Sequence, residues 1–217
     1  MPTRFCLLRH GETDWNVDGR LQGQLDVPLN DRGRAQAEAA ARRLAGFPFS
    51  RIVSSDLARA AQTAAAAGRA LGLPVETTPR LRERFFGDFQ GLTHEEARAL
   101  APQAHASFRE RDPDARPPGG GESFAEFFAR VRDALEDLAR ESAGGSVLIV
   151  AHGGVLDMAR RFAAGLSLRA ARDYALPNAA LNWIETDAGG WRVTGWGDVV
   201  HLGEALDEIV DQRRRAR

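Results

Sequence analysis

The chain has 217 residues, 43% of them hydrophobic and 27% charged, with a formal net charge of −1. That composition is globular, supports a sizeable core without covalent staples, and argues against nucleic acid or an anionic membrane as the main partner. All 29 basic residues are Arg. A Walker lysine, a Schiff base and a pocket lysine are therefore excluded, and every cationic contact falls to guanidinium groups suited to gripping phosphate or carboxylate.

Met1 to Arg4 runs straight into an apolar segment, so no signal peptide is expected. Phe5 to Leu8 reads as a strand that ends abruptly on Arg9 and His10. Cys6, the single cysteine, rules out an intramolecular disulfide and points to a reducing, cytoplasmic compartment. After a loop rich in Gly and Asp, residues 29–46 predict a helix capped by Asn30 or Asp31 and closed by Gly46. Residues 51–55 form a second predicted strand, and residues 56–72 a second helix with Asp56 near its start and Gly72 past its end. Residues 74–79 suggest a third strand.

Thr93 and Glu96 form a capping box for a short helix. Residues 103–123 are rich in Pro and Gly and predict an irregular loop, long enough to serve as a lid over about residues 101–122. Ser123, with Glu126 three residues on, caps a long amphipathic helix. The run "SVLIVAH" predicts a buried strand, too short to span a bilayer, and residues 153–165 the helix after it. Residues 179–199 read as a hairpin around Ala-Gly-Gly, and residues 211–217 as a frayed basic tail. Strands alternating with helices predict one domain over residues 1–217, a three-layer α/β/α sandwich with a mostly parallel central sheet.

In open α/β sheets ligands sit beyond the carboxyl ends of the strands. Here the first strand ends in Arg9-His10-Gly11 and the second in Ser54-Ser55, with Arg59 a turn into the next helix. The buried later strand ends at His152, before Gly153-Gly154. One buried histidine is ordinarily a structural residue, and one helical Arg a surface charge. Several independent segments that each bring one phosphate-compatible group to the same edge define instead a pocket for a phosphate-sized dianion. Glu83, between two arginines and before Phe85-Phe86-Gly87, is a candidate carboxylic acid with an elevated pKa. No G-x-x-x-x-G-K-[ST] or G-x-G-x-x-G motif occurs, and Cys6 lacks the following arginine that a thiolate phosphatase needs.

The segment "LLRHGETDWN" resembles the signature of the histidine phosphatase superfamily, the phosphoglycerate mutase-like family. The likeness continues through "GRLQGQLDVPLNDRGRAQA", "IVSSDLARAAQTA", "LRERFFGDFQGLTHEEA", "GGGESFAEFFARV" and "VLIVAHGGV". The resemblance implies that His10 is the nucleophile that becomes a phosphohistidine. Arg9, Arg59 and His152 would surround the phosphoryl group, and Glu83 would protonate the leaving oxygen. Asn16, Gln22, Gly23 and the Gly153 N–H would complete the phosphate contacts. It implies a metal-independent, cofactor-free phosphomonoester hydrolase acting on a small molecule, with a homodimer left open.

A cofactor-dependent phosphoglycerate mutase is the alternative, disfavoured by the missing lysine and the short loop. A catalytically silent phospho-ligand binder is a remoter one, since His10, Arg9, Arg59, Glu83 and His152 are all present. The loop arginines Arg109, Arg111 and Arg116 are candidates for gripping a second anionic group, although solvated charge is the commoner role for any one of them. Phe85, Phe86, Phe89 and Phe108 either pack or line an apolar pocket for the leaving group.

Overall fold

The computed structural model describes residues 1–203; the basic stretch 211–217 lies outside the described residues. The elements run β1 (Thr3–Arg9), α1 (Asp14–Val17), α2 (Asp31–Leu44), β2 (Arg51–Ser55), α3 (Ala58–Leu71), β3 (Val75–Thr78), α4 (His94–Leu100), α5 (Pro102–Arg109), α6 (Phe124–Glu141), β4 (Ser146–Ala151), α7 (Gly153–Ala164), β5 (Leu181–Asp187) and β6 (Gly190–Asp198). Two single 3₁₀ turns, Pro79–Leu81 and Gly87–Phe89, precede α4.

The six strands form one sheet in the order β3-β2-β4-β1-β5-β6. β3, β2, β4 and β1 are parallel, and β5 and β6 add an antiparallel edge. The apolar runs of β1 and β4 are continuous because both faces of these strands are covered. Phe5, Leu7, Val147 and Ile149 join the core under α6 and α7, while Cys6, Leu8, Leu148 and Val150 join the core against α2 and α3. The result is the expected three-layer α/β/α sandwich. The chain leaves β1 toward α2 on one face and leaves the adjacent β4 toward α7 on the other. That divergence opens a crevice at the carboxyl ends of β1 and β4, where a doubly wound sheet binds ligands.

The capping boxes at Thr93/Glu96 and Ser123/Glu126 are present, and Asn30 rather than Asp31 caps α2. Asp56 lies near the start of α3 as expected and makes a two-pronged ion pair with Arg82, while the Ala58 N–H is capped by Asp26 from the preceding loop. Two expectations require correction. The loop after β1 contains a helical turn, α1, held by a Thr13/Asn16 capping box. The expected irregular segment begins with α5, because Pro102 is tolerated at the first helical position and no Gly or Pro follows until residue 113. The Pro/Gly signal belongs only to residues 113–121. The hairpin tryptophans pack inward rather than forming a free edge: Trp191 stacks on Phe5 at 5.5 Å, and Trp183 on Phe49 at 6.1 Å.

Candidate active site

The imidazoles of His10 and His152 lie side by side at the β1 and β4 strand ends, ring centroids 5.2 Å apart. The His10 amide donates to the Ala151 carbonyl, continuing the β1–β4 ladder one step past the strands and fixing the spacing of the two histidines. Gly11 is required by contact. A Cβ there would fall 2.3 Å from the Gly33 carbonyl oxygen of α2, and neither backbone can yield. The Gly11 N–H donates to Thr63 Oγ1, which ties the turn to α3.

Protonation follows from the partners. His10 Nδ1 lies 2.7 Å from the Gly11 carbonyl, which can only accept, so Nδ1 carries the proton and Nε2 keeps its lone pair. Arg59 Nε donates to His152 Nδ1 at 3.2 Å; a guanidinium cannot accept, so His152 is neutral and its Nε2–H donates to Ser55 Oγ at 2.8 Å. Both histidines are held well below the usual imidazole pKa. Burial is the main cause, and the charges of Arg59 and Arg9 add to it.

Arg59 is fixed by its remaining nitrogens on the carbonyls of Leu25 and Gly23. Arg9 donates to the Leu176 carbonyl. Glu83 is held by two backbone amides, Gly154 N–H on Oε2 at 2.9 Å and Arg84 N–H on Oε1 at 2.8 Å. Burial nevertheless raises its pKa above the ordinary carboxylate value, against those two bonds and the charges of Arg59 and Arg9. The second glycine of the Gly153-Gly154 pair is thereby explained. A Cβ on residue 154 would stand 2.1 Å from Glu83 Oε1, so only Gly lets the first turn of α7 reach the carboxylate.

One cavity of about 330 Å³ joins these groups. Arg9, His10, Asn16, Gln22, Gly23, Arg59, Glu83 and Gly153 all line it, and His152 closes it from behind, fully buried. Phe86 and Phe108 form part of its outer wall, whereas Phe89 is buried beneath. Arg109 and Arg111 reach the cavity; Arg116 is paired with Glu126 and does not line it.

Three contributors, Asn178, Arg84 and Arg172, escape a reading of the strand ends alone, and the strand-end residue Ser55 gains a specific role. Asn178 donates to the His10 carbonyl and to Asn16 Oδ1, fixing which face of the Asn16 amide is its donor. Ser55 holds the His152 tautomer. Arg84 and Arg172 line the outer cavity. The only sequence signal for Asn178 is the Pro-Asn break before β5, where Ala179 takes a positive φ of 56°. Among the described residues no group of three or more His, Cys, Asp or Glu side chains could hold a metal ion. No described helix is long and apolar enough to cross a membrane.

The model of the histidine phosphatase superfamily, branch 1, matches residues 5–199. A metal-independent phosphoserine phosphatase of Arabidopsis thaliana is 39% identical over 92% of this chain and 83% of its own. A glucosyl-3-phosphoglycerate phosphatase of Mycolicibacterium vanbaalenii is 46% identical over 70% of each chain. The solved structure of a mycobacterial glucosyl-3-phosphoglycerate phosphatase superposes with a TM-score of 0.81 at 37% identity, covering 91% of this chain and 99% of that one. The chain belongs to the histidine phosphatase superfamily, and its fold is that of the phosphoglycerate mutase-like phosphatases.

Proposed function

We propose that this protein is a phosphomonoester hydrolase that works through a phosphohistidine at His10, without a metal or a cofactor. The observation that carries the reading is the convergence of His10, Arg9, Arg59 and Glu83 on one cavity, with the buried His152 ring 5.2 Å from that of His10. Phosphatase names on relatives that align over most of the chain support it.

The neutral His10 Nε2 attacks phosphorus in line with the ester oxygen. The P–O bond to the alcohol breaks, and Glu83 gives its proton to the departing oxygen. Arg9 and Arg59 balance the charge on the equatorial oxygens, where positioned donors do most of the work in phosphoryl transfer. Asn16, Gln22 and the Gly153 N–H complete the cradle. Water then enters and loses a proton to the Glu83 carboxylate. Its oxygen bonds to phosphorus, the P–N bond breaks, and neutral His10 and inorganic phosphate result. Burial serves both groups, keeping His10 a free base and Glu83 an acid at one pH.

Phosphate release from p-nitrophenyl phosphate in the presence of chelator tests the reading. The unmutated protein turns over and His10→Ala does not. Acid-labile label retained on the protein after mixing with a ³²P ester marks the intermediate. Turnover by His10→Ala at the unmutated rate would overturn the assignment.

A further inference from the structure

The loop that carries Gln22 and Gly23 owes its shape to a residue outside it. Residues 22–25 form a tight turn, closed by the Leu25 N–H on the Gln22 carbonyl at 3.1 Å, with Gly23 at a positive φ of 54°. The central peptide of that turn joins Gly23 to Gln24. In a trans peptide the carbonyl and the N–H point in opposite directions, and here both ends are held. The Gly23 carbonyl accepts from Arg59 Nη2 at 2.7 Å, and the Gln24 N–H donates to Gln90 Oε1 at 2.7 Å. A backbone N–H can only donate, so the Gln90 amide presents its oxygen there. The Gln90 side chain also packs on Gly23, where a Cβ would stand 2.8 Å from both its Cγ and its Cδ.

Tight turns differ from one another chiefly in the rotation of the central peptide, and Gly restricts that rotation least. Turned the other way, the Gly23-Gln24 peptide would aim its N–H at the Arg59 guanidinium, donor against donor, and withdraw the carbonyl. The Gly23 carbonyl shares the orienting of Arg59 with the Leu25 carbonyl and the His152 ring.

We propose that Gln90 is a positioning residue for phosphate: by holding the Gln24 N–H it fixes the Gly23-Gln24 peptide, and through that carbonyl it aims the Arg59 guanidinium at the phosphoryl group. Gln90 itself does not line the cavity. Nor does the loop depend on it for attachment. The Leu21 N–H on the Leu92 carbonyl at 2.8 Å and the Gly91 N–H on the Leu21 carbonyl at 2.7 Å lace the loop to the segment before α4. Loss of the Gln90 oxygen thus leaves the loop docked and frees one peptide. A different route runs from the loop to the acid, because Gln24 Nε2 donates to the Glu83 carbonyl at 3.1 Å. The routes have different consequences: Arg59 grips the phosphate of every ligand, whereas Glu83 matters most for poor leaving groups. The proposal rests on the hydrolase reading for the place of the phosphoryl group.

The test measures binding of inorganic phosphate by calorimetry, beside kcat/KM on p-nitrophenyl phosphate and on an alkyl phosphate. Gln90→Met keeps the length of the side chain and removes its oxygen. It is expected to weaken phosphate binding about tenfold, to lower kcat/KM on the two esters by similar factors, and to keep a cooperative thermal transition. Gln90→Glu, which retains an oxygen for the Gln24 N–H, is expected to stay within about threefold of the unmutated protein. In an Arg59→Lys background, where no guanidinium faces Gly23, Gln90→Met is expected to change phosphate binding less than about twofold.

Unchanged phosphate binding in Gln90→Met overturns the assignment, as does an equal loss in Gln90→Glu or an undiminished loss in the Arg59→Lys background. A loss confined to the alkyl ester overturns it too, and transfers the role to Glu83. If Arg59→Lys fails to fold, the contrast between Gln90→Met and Gln90→Glu decides. If phosphate binding responds as expected but the unmutated protein releases no phosphate from any ester, the hydrolase reading falls and the positioning role stands. Turnover without measurable phosphate binding overturns the positioning role and leaves the hydrolase.

Discussion

Glu83 is subject to two opposed influences. Its pair of amide hydrogen bonds favours the anion, and burial favours the acid; burial prevails, so its pKa is raised. A raised acid is protonated further up the pH scale. Activity that needs its proton therefore falls as pH rises through the Glu83 pKa, while loss from His10 protonation lies far below pH 6.5. Glu83→Gln is expected to remove that alkaline fall from the kcat/KM profile. It should cost about a hundredfold or more on alkyl phosphates and under about tenfold on p-nitrophenyl phosphate, whose leaving group needs little protonation. Equal loss on both esters would remove Glu83 from the acid's role. Gly154→Ala reaches the same carboxylate by contact alone. Its Cβ would lie 2.1 Å from Glu83 Oε1 and 2.9 Å from a Phe127 ring carbon. The glutamate can swing aside at little cost to folding, so the variant is expected to keep its circular dichroism spectrum and follow Glu83→Gln in its kinetics. Full activity would show that the amide contact on Glu83 is dispensable.

At the scale of elements, α7 does more than end at the site. One turn in, its buried Asp157 accepts from Arg111 of the segment after α5, from Arg161 in α7 itself, and from Tyr174 ahead of β5. Arg111 sits at a φ of 60°, unusual for a side chain of its size, and the ion pair holds it there. Asp157→Asn leaves two guanidinium groups short of a counter-charge. It is expected to cost about 3 kcal/mol in urea denaturation, the range for breaking a buried pair; a change within error would mean that water solvates both arginines.

Nothing in the sequence disclosed this network, because two of its three links join residues 46 and 17 positions apart and each member reads locally as an ordinary polar residue. The same holds for Asn178 and Arg84. By contrast β1, β4, α6 and the hairpin were legible, because apolar runs and capping boxes are written in adjacent residues. The helix α5 was hidden by its neighbourhood: the Pro/Gly-rich stretch that follows it colours the whole segment, although Pro102 itself only starts a helix.

For the molecule as a whole, the layers could be read from alternation alone. The site could be read from strand ends because a doubly wound sheet gathers them on one edge. What alternation does not convey is the depth at which that edge lies, and depth governs the response to acid. His10 is 3% exposed and His152 fully buried, and both keep a pKa well below the unfolded value near 6.5. Below pH 6.5 the unfolded chain takes up protons on these two rings and the folded chain does not, so stability is full above that pH and falls as pH drops. Each ring contributes a slope of about 1.4 kcal/mol per pH unit. His105 and His201, also lowered by burial, act in the same direction. Glu83 acts the other way: its raised pKa gives stability at low pH that is lost as pH rises from about 4.5 through the folded value, so it offsets one histidine there. Carboxylates lowered by ion pairs, such as Asp56, titrate below this window. Urea midpoints are therefore expected to fall from pH 7.5 to pH 5.5, and His10→Gln to reduce the slope by about 1.4 kcal/mol per pH unit below pH 6. An unchanged slope in that variant would mean that the His10 ring takes up its proton without unfolding, and the neutral nucleophile would lose its physical basis.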